Sequence, residues 1–305
     1  MIEKVKSLFS STHKHPPASA SASFQVLSDL HLETGPPQYA SFEIPVRANH
    51  LILAGDIGRL ADYDRYCNFI QKQTDRFALV FLVLGNHEFY HGSFAEGIER
   101  ARMLEQEPCL NGRLVLLHQR RFDLPGSGVT VLGCTLWSDV AHDSRRIVCS
   151  KVKDRLLIRD WSVDDHNARH RSDLTWLRDE IRSIITTGNS TSTTTCVTEK
   201  QTQEQQQKKK QKQRSVLVIT HHAPSTRKMS SPQQHAESAL FGTDTLPEGL
   251  DGVVKTWVFG HTHYTTDFRE QGVRIISNQR GYMLHRSDKT DGEGGKFDIE
   301  KVIHV

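Results

Sequence analysis

Four short polar motifs, each placed directly after an apolar run typical of a buried strand, constrain this chain more than any other feature. The motifs are Asp29-Leu30-His31, Gly55-Asp56, Gly85-Asn86-His87-Glu88 and Gly260-His261-Thr262-His263, with His221 between the last two. The apolar runs before them cover residues 24–27, 51–53, 79–84, 216–219 and 256–259. Open α/β sheets place their sites at the carboxyl ends of strands, so we expect these side chains to lie at such strand ends.

The ligand types in these motifs indicate a two-metal centre. Seven carboxylate, imidazole and amide side chains exceed what one tetrahedral metal needs. Two metals with a bridging hydroxide are suited to phosphoryl chemistry. Asp29 and His31 are two residues apart, which on an extended backbone directs both side chains to the same side, and His261 and His263 repeat this spacing. Asp56 has two carboxylate oxygens and is the candidate bridge.

His87 has a different predicted role. It directly follows a candidate ligand, Asn86, and we expect it to reach the leaving group instead of a metal. That is the position of a general acid or transition-state donor.

The expected charge of the centre also favours a phosphate ligand. Two divalent ions, two aspartates and a hydroxide leave the centre with a net positive charge, which attracts a phosphate.

The ordered motifs DxH, GD, GNHE, H and GHxH resemble those of the calcineurin-like metallophosphoesterase superfamily. The resemblance spans residues 29–263. Periodicity alone indicates only an α/β protein. The resemblance implies a four-layer αββα sandwich with two mixed β-sheets flanked by helices.

The resemblance also implies the ligand sets and the cofactors. One metal would be held by Asp29, His31, Asp56 and His263. The second would be held by Asp56, Asn86, His221 and His261. Asp56 would bridge the two ions, and His87 would be the catalytic histidine. Ligation by Asp, His and Asn without cysteine fits two divalent ions drawn from Mn, Fe, Zn or Ni.

These residues predict an enzyme that hydrolyses mono- or diesters of phosphate, with a small molecule or nucleotide as substrate. A metal-bridging hydroxide would attack phosphorus while His87 assists the leaving group. One alternative is a protein Ser/Thr phosphatase. Its bridging-Asp motif continues with Asp-Arg-Gly, which the run Gly55-Asp56-Ile57-Gly58-Arg59-Leu60 does not match. The other alternative is a non-catalytic interaction scaffold on the same fold, which the intact ligands disfavour.

Three side chains are candidates for substrate binding: Trp137, His166 and Arg280. The aromatic residues could line a pocket, and Arg280 could bind a phosphate oxygen bidentately. The alternatives are core packing for Trp137 and His166 and a structural ion pair for Arg280. Glu88 is expected to support the centre by orienting a neighbouring group instead of binding a metal. His222 could lie beside the second metal or hydrogen-bond within its loop, and we favour the structural role.

The whole chain is predicted to consist of a disordered tail over residues 1–23 and one domain over residues 24–305. Helical periodicity indicates helices over residues 64–74, 93–104 and 172–185, the last capped by Ser172 and Asp173. Further strands are expected over residues 114–117, 129–134, 273–277 and 297–304. Residues 188–214 are Thr/Ser-rich, then Gln/Lys-rich, which predicts a disordered low-complexity insertion.

Composition limits the classes of binding partner and the cellular compartment that we expect for this chain. The net charge is +3, but residues 199–214 contribute six Lys/Arg and two Glu, so the basic balance does not argue for a nucleic-acid partner. The five cysteines are scattered and never form a CxxC pair, which favours a reducing compartment. We find no apolar stretch of membrane-spanning length and no apolar core of a secretory signal. A cytoplasmic protein without membrane contact is therefore expected.

Overall fold

A computed structural model describes residues 21–145, 153–189, 214–231, 242–244, 252–282 and 295–305. Its strands are β1 (Ser23–Leu27), β2 (His50–Ala54), β3 (Leu79–Val83), β4 (Gly92–Ser93), β5 (Leu114–Leu116), β6 (Arg120–Asp123), β7 (Val129–Cys134), β8 (Ile158–Arg159), β9 (Ser215–Thr220), β10 (Val254–Phe259), β11 (Thr266–Glu270), β12 (Val273–Ser277) and β13 (Val302–His304). Its α-helices are α1 (Tyr63–Thr74), α2 (Phe94–Gln106), α3 (Asp154–Leu157) and α4 (Val163–Asn189).

Two large mixed sheets form the middle of the fold. The first has the strand order β13-β1-β2-β3-β5, in which only β13 is antiparallel to its neighbour. The second has the order β11-β12-β10-β9-β7-β6, with antiparallel strands at both edges. The four central strands of the second sheet, and the remaining four of the first, run parallel.

Alternate side chains of the central strands enter different layers of the core. One cluster lies between the two sheets and includes Val26, Ile52, Phe81, Val131, Leu217 and Val258. A second joins the first sheet to α1 and α2 and includes Leu53, Leu82, Tyr66, Phe69 and Leu104. A third joins the second sheet to α4 and includes Val218, Trp257, Leu177 and Ile181. This layer order confirms the αββα sandwich, and burial on both faces explains the continuous apolar strands.

The first two helices are confirmed close to their predicted bounds. In α1, Tyr66, Phe69 and Ile70 are buried as the predicted apolar stripe. In α2, the hydroxyl of Ser93 accepts from the backbone N–H of Glu96, whose carboxylate accepts from the N–H of Ser93. This reciprocal capping box satisfies two backbone donors and begins the helix.

The predicted start of the third helix was wrong. The helix α4 begins at Val163, well before Ser172. The hydroxyl of Ser162 accepts from the N–H of Asp165, and the Asp165 carboxylate accepts from the N–H of Ser162. Asp173 lies within the helix and accepts a 2.8 Å hydrogen bond from the N–H of Leu136. The side chain of Asp173, which the sequence predicted as a helix cap, therefore makes a tertiary contact instead.

Two edge strands, β6 and β11, were not predicted. Both alternate half-buried and exposed residues and carry charged side chains, so they lack the apolar run that marks a central strand. The last predicted strand is shorter than expected. The backbone N–H of Asp298 donates to Oδ1 of Asn278, and the backbone carbonyl of Asp298 accepts from Nδ2 of Asn278. The backbone of Asp298 is thus bonded to a side chain, and the strand β13 begins only at Val302.

Residues 1–20 and 190–213 lie outside the described residues, so most of the predicted tail and most of the predicted insertion stay predictions. The predicted end of the tail was wrong, because Ser23 belongs to β1. The helix α4 extends to Asn189, past the predicted start of the insertion. At the other end, Arg214 donates from Nε to Oγ1 of Thr130 at 2.8 Å. Arg214 therefore belongs to the folded part of the chain. In the described ranges, no helix has both the length and the apolar surface required to cross a membrane.

Candidate metal centre

The predicted ligands follow neighbouring parallel strands of both sheets. Asp29, Asp56 and Asn86 follow β1, β2 and β3 in the first sheet. His221 and His261 follow β9 and β10 in the second sheet. Because parallel strands end at the same edge, the sheets hold all five loops at one end of the sandwich.

Three groups of candidate ligand atoms form where these loops meet. In each group the atoms lie within 4.8 Å of one another. The groups are Asp29 with His31 and His263, His31 with Asp56 and His87, and Asp56 with His221 and His261. Asn86 adds its Oδ1, which lies 3.2 Å from Nε2 of His221. The structure thus brings all seven predicted ligands and His87 together.

The backbone of these loops differs from the extended conformation that the DxH spacing predicted. Asp29 has a φ of 51° and His31 a φ of 46°, both in the left-handed region. The N–H of Asp29 donates to the carbonyl of Gly55, and the N–H of His31 donates to the carbonyl of Asp56. The prediction of proximity was right but its reason was wrong, because hydrogen bonds to the loop after β2 hold a backbone conformation that is costly for non-glycine residues.

Glycine is required where the loops approach each other most closely. A Cβ at Gly85 would overlap Oδ1 of Asp56 and Nε2 of His221. Gly55 has a φ of 87°, and a Cβ there would overlap the imidazole of His221. The absence of a side chain at both positions lets the candidate ligands converge.

Asp56 occupies the middle of the cluster. Its Oδ1 lies 3.3 Å from Nε2 of His221, and its Oδ2 lies 3.8 Å from Nε2 of His31. The two oxygens therefore face different imidazoles, as a bridging carboxylate requires. Burial opposes the charge of Asp56, but the nearby His221 and His87 imidazoles hold its pKa well below the usual value.

The histidines differ in their affinity for protons. Burial, together with the neighbouring His31, lowers the pKa of His263 to about 3, and burial lowers the pKa of His261 as well. Burial also opposes a charge on His221, but the Asp56 carboxylate outweighs it and raises the pKa of His221 to about 10. The neutral imidazoles of His261 and His263, with carboxylate and amide oxygens, form a donor set that fits Mn, Fe, Zn or Ni, and a bound metal would displace the proton of His221. The residues present therefore fit a divalent metal.

His87 is held on both sides of its ring. Its Nδ1 lies 2.7 Å from Oε1 of Glu33, and its Nε2 lies 2.9 Å from the hydroxyl of Tyr282. Burial alone would raise the pKa of Glu33, but hydrogen bonds from His31 and His87 lower it to about 2. Burial opposes a proton on His87, yet Asp56 and Glu33 raise its pKa to about 9. In the absence of metal, Asp56 and Glu33 therefore favour a protonated imidazole at His87, beside the candidate metal ligands.

Comparison with known proteins decides the family. The model of the calcineurin-like phosphoesterase family matches residues 23–265, which include every candidate ligand. The chain belongs to the calcineurin-like phosphoesterase family. Membership supports metal-dependent hydrolysis of phosphate esters as the general activity, and it implies divalent metal ions at the clusters of histidine and aspartate.

Three similar proteins are each less than 25% identical to this chain. The chain is 23% identical over 288 residues to an uncharacterised protein of Acanthamoeba polyphaga mimivirus, covering 86% of this chain and 92% of the viral protein. The phosphopantetheinyl hydrolase of Mycobacterium tuberculosis has a similar fold, with a TM-score of 0.57, 17% identity and coverage of 87% of this chain and 91% of that chain. A dimetal phosphatase from Danio rerio matches with a TM-score of 0.44, 13% identity and coverage of 84% and 86%.

Glu88 ties two loops of this calcineurin-like phosphoesterase together. Its carboxylate accepts from the backbone N–H groups of Asp56, Ile57 and Gly85 at 2.9, 2.8 and 2.7 Å. The hydroxyl of Tyr66 donates to the same carboxylate at 3.1 Å. Glu88 thus orients the loop that carries Asp56, in agreement with the supporting role expected from the sequence.

His222 and Trp137 support His261 from the interior. The ring of His222 stacks on that of His261 with centroids 3.9 Å apart, and Trp137 lies 5.4 Å from His222. His222 is fully buried, and both of its ring nitrogens lack a hydrogen-bond partner among the described residues. Trp137 is 1% exposed. These positions do not favour direct contact between Trp137 and a substrate.

The other two substrate-binding candidates also have structural contacts. His166 is buried, and the N–H of Ser138 donates to its Nε2. The guanidinium of Arg280 donates to the carbonyl of Leu30 and to Oε1 of Gln38, at 3.0 and 2.7 Å. The burial of Trp137 and His166 agrees with the alternative of core packing. The contacts of Arg280 are with neutral oxygens, so they differ from the structural ion pair that the sequence alternative expected. Substrate binding by the three side chains stays a prediction.

Sequence reasoning did not single out three residues that contact the centre. Glu33 lies two residues after His31, just as His31 lies two residues after Asp29, and that spacing could have identified it. Tyr282 follows β12, and its ring lies 4.3 Å from that of His31. Asp154 hydrogen-bonds to Asn86 from a segment without a recognisable motif.

Proposed function

We propose that this chain hydrolyses phosphate esters of small molecules or nucleotides with two divalent metal ions. Asp29, His31, Asp56 and His263 would hold one ion, and Asp56, Asn86, His221 and His261 would hold the other. When bound, the ions supply Lewis acidity and lower the pKa of a coordinated water. The observation that carries this proposal is the convergence of three ligand groups, two of which share Asp56.

The residues of the chain have separate tasks in this proposal. Asp56 faces both sets of imidazoles, and Asn86 contributes an oxygen without adding negative charge. His87 holds a proton at Nε2 beside the centre and delivers it to the leaving oxygen of the ester. Glu33 binds Nδ1 of His87 and so directs Nε2 towards the substrate.

Tyr282 is the proposed contact for the organic part of the substrate. It is 45% exposed, although its ring lies close to those of His31 and His263. An exposed aromatic face beside a phosphate site can stack on a nucleobase or another planar group. This arrangement favours a small molecule or nucleotide over a protein substrate.

The compartment that we propose is the cytoplasm. Cys67, Cys109 and Cys134 are free thiols, and the Sγ atoms of Cys67 and Cys109 lie 3.9 Å apart without a bond. Free cysteines agree with a reducing environment.

The test combines hydrolysis with metal analysis. Purified protein is supplied with Mn²⁺, Fe²⁺, Zn²⁺ or Ni²⁺ and assayed on chromogenic phosphate monoesters and diesters and on nucleotides, while elemental analysis counts the bound metal. We expect two metals per chain and metal-dependent turnover of at least one ester. Well-folded protein that binds no divalent metal, or that binds it without hydrolysing any ester, would contradict the proposal.

A further inference from the structure

The amide of Asn86 has two chemically different faces within the centre. Its Oδ1 lies 3.2 Å from Nε2 of His221, on the side of the candidate ligands. Its Nδ2 donates to Oδ1 of Asp154 at 2.8 Å and to the hydroxyl of Tyr90 at 3.0 Å. Only the oxygen can ligate a cation, so the orientation of this amide decides whether Asn86 is a ligand.

Asp154 is a carboxylate with an unusual environment. It begins the short helix α3 and is 3% exposed. The hydroxyl of Tyr90 donates to the same Oδ1 at 2.7 Å, and Oδ2 has no hydrogen-bond partner among the described residues. Burying a carboxylate with one unpartnered oxygen is costly, and the contacts with Asn86 and Tyr90 are the compensation that the structure shows.

We infer that Asp154, supported by Tyr90, is a positioning residue that holds the amide of Asn86 with its oxygen towards the second metal site. This inference rests on the proposed function. Oδ1 of Asp154 accepts hydrogen bonds from both Nδ2 of Asn86 and the hydroxyl of Tyr90, so this oxygen selects the Nδ2 face of the amide and rejects the flipped orientation. A flipped Asn86 would direct an NH₂ group towards the cation and place two oxygens against each other at Asp154.

Outer contacts of this kind affect metal affinity even though they do not touch the ion. Loss of a residue that orients a ligand typically lowers metal affinity by about 10–100-fold. The effect should be confined to the metal that Asn86 would bind. The residues that would hold the other metal are Asp29, His31, Asp56 and His263. In the described part of the chain, the hydrogen bonds of Asp154 are with Asn86 and Tyr90 and with none of these four.

The experiment compares metal affinity in three variants. Metal-free protein is titrated with Mn²⁺ by calorimetry, and metal bound at a fixed free Mn²⁺ concentration is counted by elemental analysis. Asp154→Ala removes the acceptor. Asp154→Asn keeps a carbonyl oxygen that can accept from Asn86 and Tyr90. Asp160→Asn, on an exposed carboxylate of the same segment, is the matched control.

We expect Asp154→Ala to weaken one of the two Mn²⁺ sites about 10–100-fold and to leave the other unchanged. Asp154→Asn should weaken the same site less, about fivefold, because it keeps an acceptor oxygen in place of Oδ1. Asp160→Asn should bind as wild type. Thermal unfolding of the metal-free proteins shows whether Asp154→Ala remains folded, and Asp154→Ser replaces it in the same comparison if it does not.

The outcomes separate this inference from the proposed function. If wild type binds two Mn²⁺ ions and the folded Ala or Ser variant binds both with unchanged affinity, Asp154 does not position Asn86. Equal weakening of both sites would indicate a general structural role and would also overturn the inference. If wild type itself binds no metal, the proposed function fails first.

Discussion

The carboxylate of Glu33 lies 2.7 Å from Nδ1 of His87 and 3.4 Å from Nδ1 of His31. One buried anion therefore contacts a candidate metal ligand and the candidate acid. In each imidazole the contact occupies Nδ1, so Nε2 is the nitrogen directed at Asp56. This geometry suggests that Glu33 sets the orientation and the proton affinity of His87.

Replacing Glu33 should reduce turnover more than metal binding. At saturating metal we expect Glu33→Ala to lower kcat about 100-fold and Glu33→Gln about 10-fold, because Gln keeps an acceptor for Nδ1 but loses the charge. Steady-state kinetics on esters with leaving groups of different pKa provides the measurement. The loss should be largest for poor leaving groups.

Glu43→Gln is the control for this pair, because its side chain is 66% exposed and lies in a surface ion pair. It should behave as wild type. Glu33 variants that retain full activity on poor leaving groups would show that the contact with His87 has no role in proton transfer.

His87→Ala should keep both metals but lose turnover. We expect kcat to fall by about 10²–10⁴, the usual contribution of general acid–base catalysis, with a smaller loss for leaving groups of low pKa. Elemental analysis and the same ester series provide the measurement. His142→Ala, at a fully exposed position, is the control. A uniform loss across all leaving groups would count against the acid role.

Asp56→Asn should lose both metals and reduce hydrolysis to background. The reason is that Asp56 is a ligand in both proposed metal sites, beside His31 in one and beside His221 in the other. Metal content after gel filtration and activity with added metal measure the effect. Asp143→Asn changes an exposed carboxylate and serves as the control. A wild-type protein that holds at most one metal per chain would contradict the shared role of Asp56.

Residues 190–213 should be dispensable for catalysis, because their composition lacks the apolar side chains needed to build a core. We expect a short Gly/Ser linker in their place to leave the Tm and kcat/KM on a small ester within about twofold, since loop closure depends only weakly on length. Arg214 is kept, because it hydrogen-bonds to Thr130. A large drop in kcat/KM would show that the segment contacts the substrate or covers the site.

The stability of the fold should fall with acid partly through His166. Burial lowers its pKa to about 4, while the unfolded chain has a pKa of about 6.5. The unfolded state therefore takes up a proton first as the pH falls, so the contribution is complete above about pH 6.5 and is lost towards pH 4. The loss amounts to at most about 3 kcal/mol.

His166→Gln removes this titration while keeping a side chain that can accept from Ser138. Denaturant unfolding of wild type and variant between pH 4 and pH 7, with a chelator present, gives the difference in free energy of unfolding. We expect wild type to lose more stability than the variant across this range. Parallel curves would mean that His166 is not held neutral in the fold.

Local sequence determined the main parts of the centre. Ligand types that follow apolar runs, such as Asp56 after β2 and His261 after β10, identify strand ends without any knowledge of the partners. The helices α1 and α2 follow from an apolar stripe and from the capping pattern at Ser93 and Glu96. These features depend on neighbours within a few residues, so a single sequence contains them.

Only the tertiary structure decided which of these groups touch. The start of α4, the edge strands, the burial of Trp137 and the backbone at Asp29 all depend on contacts with distant segments. The same holds for Glu33 on His87, 54 residues away, and for Asp154 on Asn86, 68 residues away. A carboxylate has the same local pattern whether it faces water or a buried amide. Its role is set by burial and by hydrogen-bond partners, which arise only when the two sheets close on each other.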